Sequence, residues 1–497
     1  MCSPVWHSPI VCVAVVALSA TVSLPVPSSI AEEAASKPNI VLILADDLGD
    51  RSLSCFGATV PTPNLDRLAR EGMVFENAHA APMCAPTRDE MFTGMSRARF
   101  KGRPGLETPF FTNLLKQGGY RTGMAGKWFV GSVFDPPRRG FDEACVMVNG
   151  YRHWAPDIMV FGSEGLFREL NQPPVEGRLN EWEVPMDGDV RHKATCLPDR
   201  YSDDVQVDFL CDFITRHRDR PFLAYYSSKL AHVPQAPTPD CDSDAIDIYR
   251  KAFAHDHDRN LSKLQPFIEG EMRRRGVQGP ALREYRNDAI AYLDKSVGRL
   301  LKHVDRLGLR EKTMVVFLSD NGNSAIDPLP EGAKRTPGRK GDSRDGGTRV
   351  PLLVRWPEHI SPGSRCRDLV HVQDFLPTFV ELAGGKLDND NAYDGRSFAP
   401  QLLGEKGTPR SFFIGRGAHP SVWLDRVRSE LGRPTLESWK MVWVHGIRYK
   451  LYDDGRFYDL DVDPEESQRI LPGKGSVEAE AMRGRLQAIL EQYVTDQ

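Results

Sequence analysis

Acidic and amide residues stand where two apolar runs of the chain end. Asn39-Ile-Val-Leu-Ile-Leu-Ala45 leads into Asp46-Asp47, and Met314-Val-Val-Phe-Leu318 leads into Ser319-Asp320-Asn321. In open α/β sheets, ligands collect beyond the carboxyl ends of strands. Carboxylates crowded there repel one another unless a cation neutralises them. Three Asp side chains and one Asn amide oxygen suit a hard ion such as Ca²⁺ or Mg²⁺. The same residues are also common in turns, where they need no metal.

A second chemical signal lies in Pro82-Met83-Cys84-Ala85-Pro86-Thr87-Arg88-Asp89-Glu90-Met91-Phe92-Thr93-Gly94. Pro86 fits the first turn of a helix, with Cys84 just before it. A group at that point faces unpaired backbone N–H donors and the positive end of the helix dipole, which favours an anion. Arg88, four residues on, lies on the same side and can add charge. As a bland alternative, Cys84 is a small buried hydrophobe or half of a disulfide. Of nine cysteines, Cys2 and Cys12 lie in the N-terminal segment, leaving Cys55, Cys84, Cys145, Cys196, Cys211, Cys241 and Cys366. An odd number leaves one unpartnered in an exported chain. No CxxC pair points to a thiolate metal site.

The elements that must position these residues follow from periodicity. Runs like Asn39–Ala45 recur at Phe222–Tyr226, Met314–Leu318 and Val350–Val354, and read as buried strands of a parallel sheet. Helical spacing separates them, clearest from Tyr285 to Leu307. Asp374–Ala383 reads as a further helix stopped by Gly384-Gly385. The pattern predicts an α/β domain with a mostly parallel central sheet between helices. After a Gly-, Asp-, Asn- and Pro-rich stretch, strands at Met441–Val444 and Arg448–Tyr452 flank a turn at His445-Gly446, and Val477–Val494 reads as a helix. We therefore expect a catalytic domain over 37–385 and a small C-terminal sheet-plus-helix subdomain over 386–497.

The apolar run Ile10–Leu24, broken at Pro25 and Pro27, is shorter than the roughly 20 residues a membrane span needs. It reads as a cleavable secretory signal over 1–31, although no Lys or Arg precedes it. Export to the periplasm or medium, without a stable membrane span, is the expectation. A net charge of −4, from 64 Lys+Arg and 68 Asp+Glu, gives no electrostatic reason to expect nucleic acid as a partner.

Taken together these segments resemble the sulfatase family. Cys84-Ala-Pro-Thr-Arg88 followed by Met91-Phe-Thr-Gly94 is similar to the signature in which the cysteine is oxidised to formylglycine, with Thr87 where Ser is usual. Lys37–Asp47, Gly119–Trp128, Ser319–Gly322, Lys340–Pro351, Asp394–Ser397 and Phe457–Pro464 resemble, in order, the family's other segments. The resemblance implies an alkaline-phosphatase-like fold and hydrolysis of sulfate esters, with a sulfated carbohydrate as the expected ester, by a formylglycine hydrate. It implies Ca²⁺, ahead of Mg²⁺, held by Asp46, Asp47, Asp320, Asn321 and an oxygen of modified Cys84. Arg88 and Lys127 would hold the hydrate. Lys340 and His232 would bind the sulfate, with His232 a candidate proton donor to the leaving alcohol. A formylglycine-generating or anaerobic sulfatase-maturating enzyme would be a partner, and a sulfated small molecule or glycan the substrate.

Two positions depart from the family. Phe129 follows Trp128 where a histidine is usual, which removes a polar group unless His153 or Lys229 substitutes. Ala231 precedes His232 where Pro is preferred. The alternatives are hydrolysis of phosphate or phosphonate monoesters, and a catalytically silent binder of sulfated glycans. Specificity is expected in the loops Asn149–Gly188 and Thr238–Arg283, where Tyr151, Trp154 and Trp182 could stack on a sugar.

Overall fold

The computed structural model describes residues 37–495 apart from 100–102, 148–156, 163–191, 197–199, 233–235, 242, 256–281, 325–335, 388–392 and 418–440. The N-terminal run, Tyr151, His153, Trp154 and Trp182 thus lie outside the described residues. Ten strands form one sheet in the order Ser364–Cys366, Met73–Phe75, Leu352–Arg355, Thr313–Ser319, Asn39–Ala45, Phe222–Ser227, Arg121–Gly126, Glu143–Met147, Asp157–Phe161 and His192–Cys196. The five strands from Thr313–Ser319 through Glu143–Met147 pair in parallel.

The alternation of side chains along each strand divides the core into two layers. All seven residues of Asn39–Ala45 are buried. Val41, Ile43 and Ala45 face one layer, which contains Leu65 and Leu68 of the helix Pro63–Glu71, Phe209 and Phe213 of Ser202–His217, and Leu293 and Val297 of Leu282–Arg306. Ile40, Leu42 and Leu44 face the other, with Met91 and Phe92 of Cys84–Thr93, Leu115 of Phe111–Gln117, and Phe379 of Phe375–Leu382. A strand covered on both faces has no room for the polar alternation of a half-exposed one, hence its unbroken apolar sequence.

The strand expected at Val350–Val354 is Leu352–Arg355, and it runs antiparallel to Thr313–Ser319, with Leu352 opposite Leu318. A parallel partner needs a crossover back to the far end of the sheet. Here Lys340 N–H donates to the Asn323 carbonyl (2.8 Å) at the carboxyl end, so the next strand starts from that end and runs in the opposite direction. The turn expected at His445-Gly446 falls just after it, since Met441–Gly446 is all strand. That strand pairs antiparallel with Phe412–Gly417 and Tyr449–Tyr452, and Phe457–Asp459 completes a four-stranded sheet. The helix Val477–Thr495 packs Leu486 and Leu490 against Val444, Leu451 and Phe457 of this sheet. Among the described residues, no helix is long and apolar enough to cross a membrane.

Candidate active site

Ala45 pairs with Ser319, so the two acidic dipeptides leave neighbouring strands at the same height. Asp47 N–H donates to Asp320 Oδ1 (3.2 Å), and Asn321 Nδ2 donates to Asp47 Oδ1 (2.8 Å). Asp46, Asp47, Asp320 and Asn321 are all fully buried. Burial opposes charge on the three carboxyls. At Asp46 it is outweighed by Lys127, then His232 and Lys340, which hold the carboxyl well below its usual range. Asp320 fares differently: burial, then Asp46, pushes it up to about 7.

Cys84 opens the helix Cys84–Thr93 as its first residue, one place further into the helix than expected. Its Sγ donates to Asp46 Oδ1 at 3.4 Å and accepts from Lys340 Nζ at 3.0 Å. Burial, then Asp320 and Asp46, pushes the thiol up to about 12, so an unmodified Cys84 stays a neutral thiol. Lys340 Nζ also donates to Asp47 Oδ1, and Lys127 Nζ to Asp46 Oδ2. His232 Nε2 lies 3.7 Å from Asp47 Oδ2. Burial, then Lys340, lowers its imidazole to about 3, leaving the ring neutral at neutral pH.

The donor set fits a hard cation. Asp47 Oδ2 and Asn321 Oδ1 are buried without a hydrogen-bond partner, a costly state for polar oxygens unless something positive faces them. Ligand atoms of Asp46, Asp47, Cys84 and His232 lie within 4.8 Å of one another. Three carboxylates face the cations of Arg88, Lys127 and Lys340. A divalent ion would leave the pocket net positive, as an anionic ester requires.

Residues 38–385 match the sulfatase family profile. The chain belongs to the sulfatase family. Members of this family are sulfuric ester hydrolases. Residues 343–493 also match the C-terminal region described as that of N-sulphoglucosamine sulphohydrolase. This sulfatase is 29% identical to human (Homo sapiens) arylsulfatase A, over 90% of this chain and 86% of that protein. It is 30% identical to N-acetylgalactosamine-6-sulfatase of Rattus norvegicus, over 79% of this chain and 72% of that protein. A solved structure of a protein with its substrate, D-glucosamine-2-N,6-O-disulfate, superimposes with a TM-score of 0.64 at 22% identity, covering 92% of this chain and 97% of that one.

The remaining expected residues converge on the same pocket, with different partners. Arg88 of the sulfatase is fully buried; its Nη2 donates to Asp320 Oδ2 (3.1 Å), and its Nη1 to the Lys127 carbonyl (3.0 Å) and Tyr225 Oη (3.1 Å). These contacts make it a strut between the Cys84–Thr93 helix and the acidic strand end. Lys229 is fully buried, and burial, then Lys127, lowers it to about 7. Phe129 lies in the left-handed region (φ 55°), with Lys127 Nζ 4.5 Å from its ring centroid.

Sequence reasoning missed the supports. Thr87 Oγ1 donates to the Asp320 carbonyl (2.6 Å), so a hydroxyl is what matters where Ser is usual. Ser227 ends the Phe222–Ser227 strand and binds Arg88 Nη1, which its position at a strand end could have flagged. The C-terminal sheet holds the segment after Lys340: Tyr452 Oη meets Ser343 Oγ at 2.9 Å, and His445 Nε2 meets Asp345 Oδ1 at 2.9 Å. No local sequence signal announces those contacts.

Proposed function

We propose that this sulfatase hydrolyses sulfate esters of a sulfated carbohydrate, using bound Ca²⁺ and a nucleophile made by oxidising Cys84 to formylglycine. The observation that carries the reading is the convergence on Cys84 Sγ of Lys340 and Asp46, beside two unpartnered buried oxygens, Asp47 Oδ2 and Asn321 Oδ1. The carbohydrate comes from the relatives, among them the N-acetylgalactosamine-6-sulfatase and the neighbour with a disulfated glucosamine.

Asp46, Asp47, Asp320 and Asn321 would hold Ca²⁺, which would supply positive charge beside the nucleophile. Hydrated formylglycine would supply two hydroxyls on one carbon, one to attack sulfur and one whose deprotonation releases sulfate. The ester and one water become an alcohol and hydrogen sulfate. Lys340, 3.0 Å from Sγ, is placed to stabilise charge on the sulfate oxygens. Lys127, held by Asp46, orients the nucleophile, and Arg88 keeps Asp320 in place. The neutral His232 ring would draw a proton once an anionic ester lies beside it, and pass that proton to the leaving oxygen.

We take residues 1–31 as an export signal, 37–385 as the catalytic domain and 386–497 as the C-terminal subdomain. A maturating enzyme would act on Cys84 before the chain folds, because the folded site buries the thiol to 4% exposure. The test is the mass of the Cys84 peptide from protein made in its own host, with sulfate and phosphate release measured on matched panels of sulfated and phosphorylated sugars. An aldehyde and release of sulfate are expected. An intact thiol with tight glycan binding would favour a silent binder, and release of phosphate alone would favour a phosphoesterase.

A further inference from the structure

Among the described residues of the site, Phe129 stands out by its exposure. The residue is 38% exposed, whereas Asp46, Cys84, Lys127, His232 and Lys340 range from 0% to 7%. One face of the ring takes the Lys127 ammonium at 4.5 Å. Lys127 binds Asp46, which accepts from Cys84 Sγ, so the ring stands three contacts from the nucleophile. It is also held. The Phe129 carbonyl accepts from Arg103 Nη1 (2.6 Å), whose guanidinium lies 5.8 Å from the ring and 3.9 Å from Asp89 of the nucleophile helix.

We propose that Phe129 determines specificity by contacting the alcohol half of the ester, its exposed surface stacking on a sugar ring or aryl group while the sulfate lies in the pocket. This rests on the sulfatase reading above. A sulfate sunk among the buried cations leaves its ester oxygen at the pocket mouth, and among the residues just named only Phe129 offers open surface there. An aromatic face suits a flat C–H surface and gains from being covered. The substrate class is therefore a sulfate ester whose alcohol carries a ring at the ester carbon or one carbon away from it, in preference to an open-chain alcohol.

The experiment uses Ca²⁺-loaded protein carrying Cys84→Ala, which binds without turnover, and two probes: inorganic sulfate and 4-nitrophenyl sulfate. With Phe129→Ala added, 4-nitrophenyl sulfate should bind about tenfold more weakly, inorganic sulfate should change by less than about twofold, and Phe129→Trp should restore the aryl ester's affinity. Equal weakening of both probes would mean that the ring acts only through Lys127, and no change in either would mean that it contacts nothing; both outcomes overturn the proposal. Failure of inorganic sulfate to bind the Phe129 protein at all would instead strike the sulfatase reading itself.

Discussion

Lys450, on the Tyr449–Tyr452 strand of the C-terminal sheet, donates through Nζ to the backbone carbonyl of Ser343, three residues beyond Lys340. The ammonium is fully buried and also pairs with Glu466 Oε1 at 2.8 Å. Tyr452 Oη joins the same carboxylate and touches Ser343 Oγ. A small sheet far along the chain thus braces the segment that carries a pocket lysine.

Tyr452→Phe should keep the fold and lose part of this brace. Removing one partner from a buried hydrogen-bonded group costs about 1–3 kcal/mol, and a misplaced Lys340 would show chiefly in kcat. We expect kcat to fall about three- to tenfold, with Tm lowered by a few degrees. Unchanged kcat in a normally stable variant would mean that the brace does not position Lys340.

Metal removal should abolish turnover. Asp47 and Asn321 present unpartnered oxygens, and Asp46 would become one of three crowded carboxylates without a divalent partner. Chelation, and separately Asp46→Ala, should each lower kcat by more than about 10³, with loss of bound calcium measured by elemental analysis. Full activity of Asp46→Ala in chelator would end the metal assignment.

Glu90, on the Cys84–Thr93 helix, should make stability depend on pH. Burial, with further pressure from Asp394 and Asp89, pushes its carboxyl up to about 8 against the Arg97 N–H bond (2.8 Å) and the Arg97 charge. His371 Nδ1 lies 3.9 Å away, its ring held neutral by burial, and Tyr493 is also near. Between the ordinary value of 4.5 and about 8, the native state keeps a proton that the unfolded chain has released. Stability should therefore fall as pH rises through this window, by at most about 1.4 kcal/mol per unit. Urea midpoints from pH 5 to 8.5 should show this slope in the natural protein and a weaker one in Glu90→Gln. Identical slopes would place the proton elsewhere.

Phe129→His restores the residue usual in the family, yet we expect less than about a tenfold gain in kcat on 4-nitrophenyl sulfate. The ring already partners Lys127, and tenfold is only about 1.4 kcal/mol of transition-state stabilisation. The comparison requires Cys84 to be fully converted in both proteins. Strong rescue of an inactive natural protein would show that the histidine was indispensable.

What the sequence determined by itself was local. The unbroken apolar run Asn39–Ala45 announced a strand buried on both faces, and the dipeptides Asp46-Asp47 and Asp320-Asn321 announced polar groups at strand ends. Pro86 placed Cys84 at a helix start to within one residue, because helix starts are set by neighbouring residues. The helix Val477–Thr495 was legible from its spacing for the same reason. Only the tertiary structure decided which ends meet. The pairing of Ala45 with Ser319 joins residues far apart in the chain, and hydrogen bonds between strands carry no sequence mark of their partner. The antiparallel course of Leu352–Arg355 follows from where the preceding loop lies, which periodicity cannot report. Arg88 read in sequence as a charge for the site, and the fold decides that its fork meets Asp320, Tyr225 and a backbone carbonyl. A guanidinium buried among several acceptors binds those that packing brings within reach, and packing is a property of the whole fold.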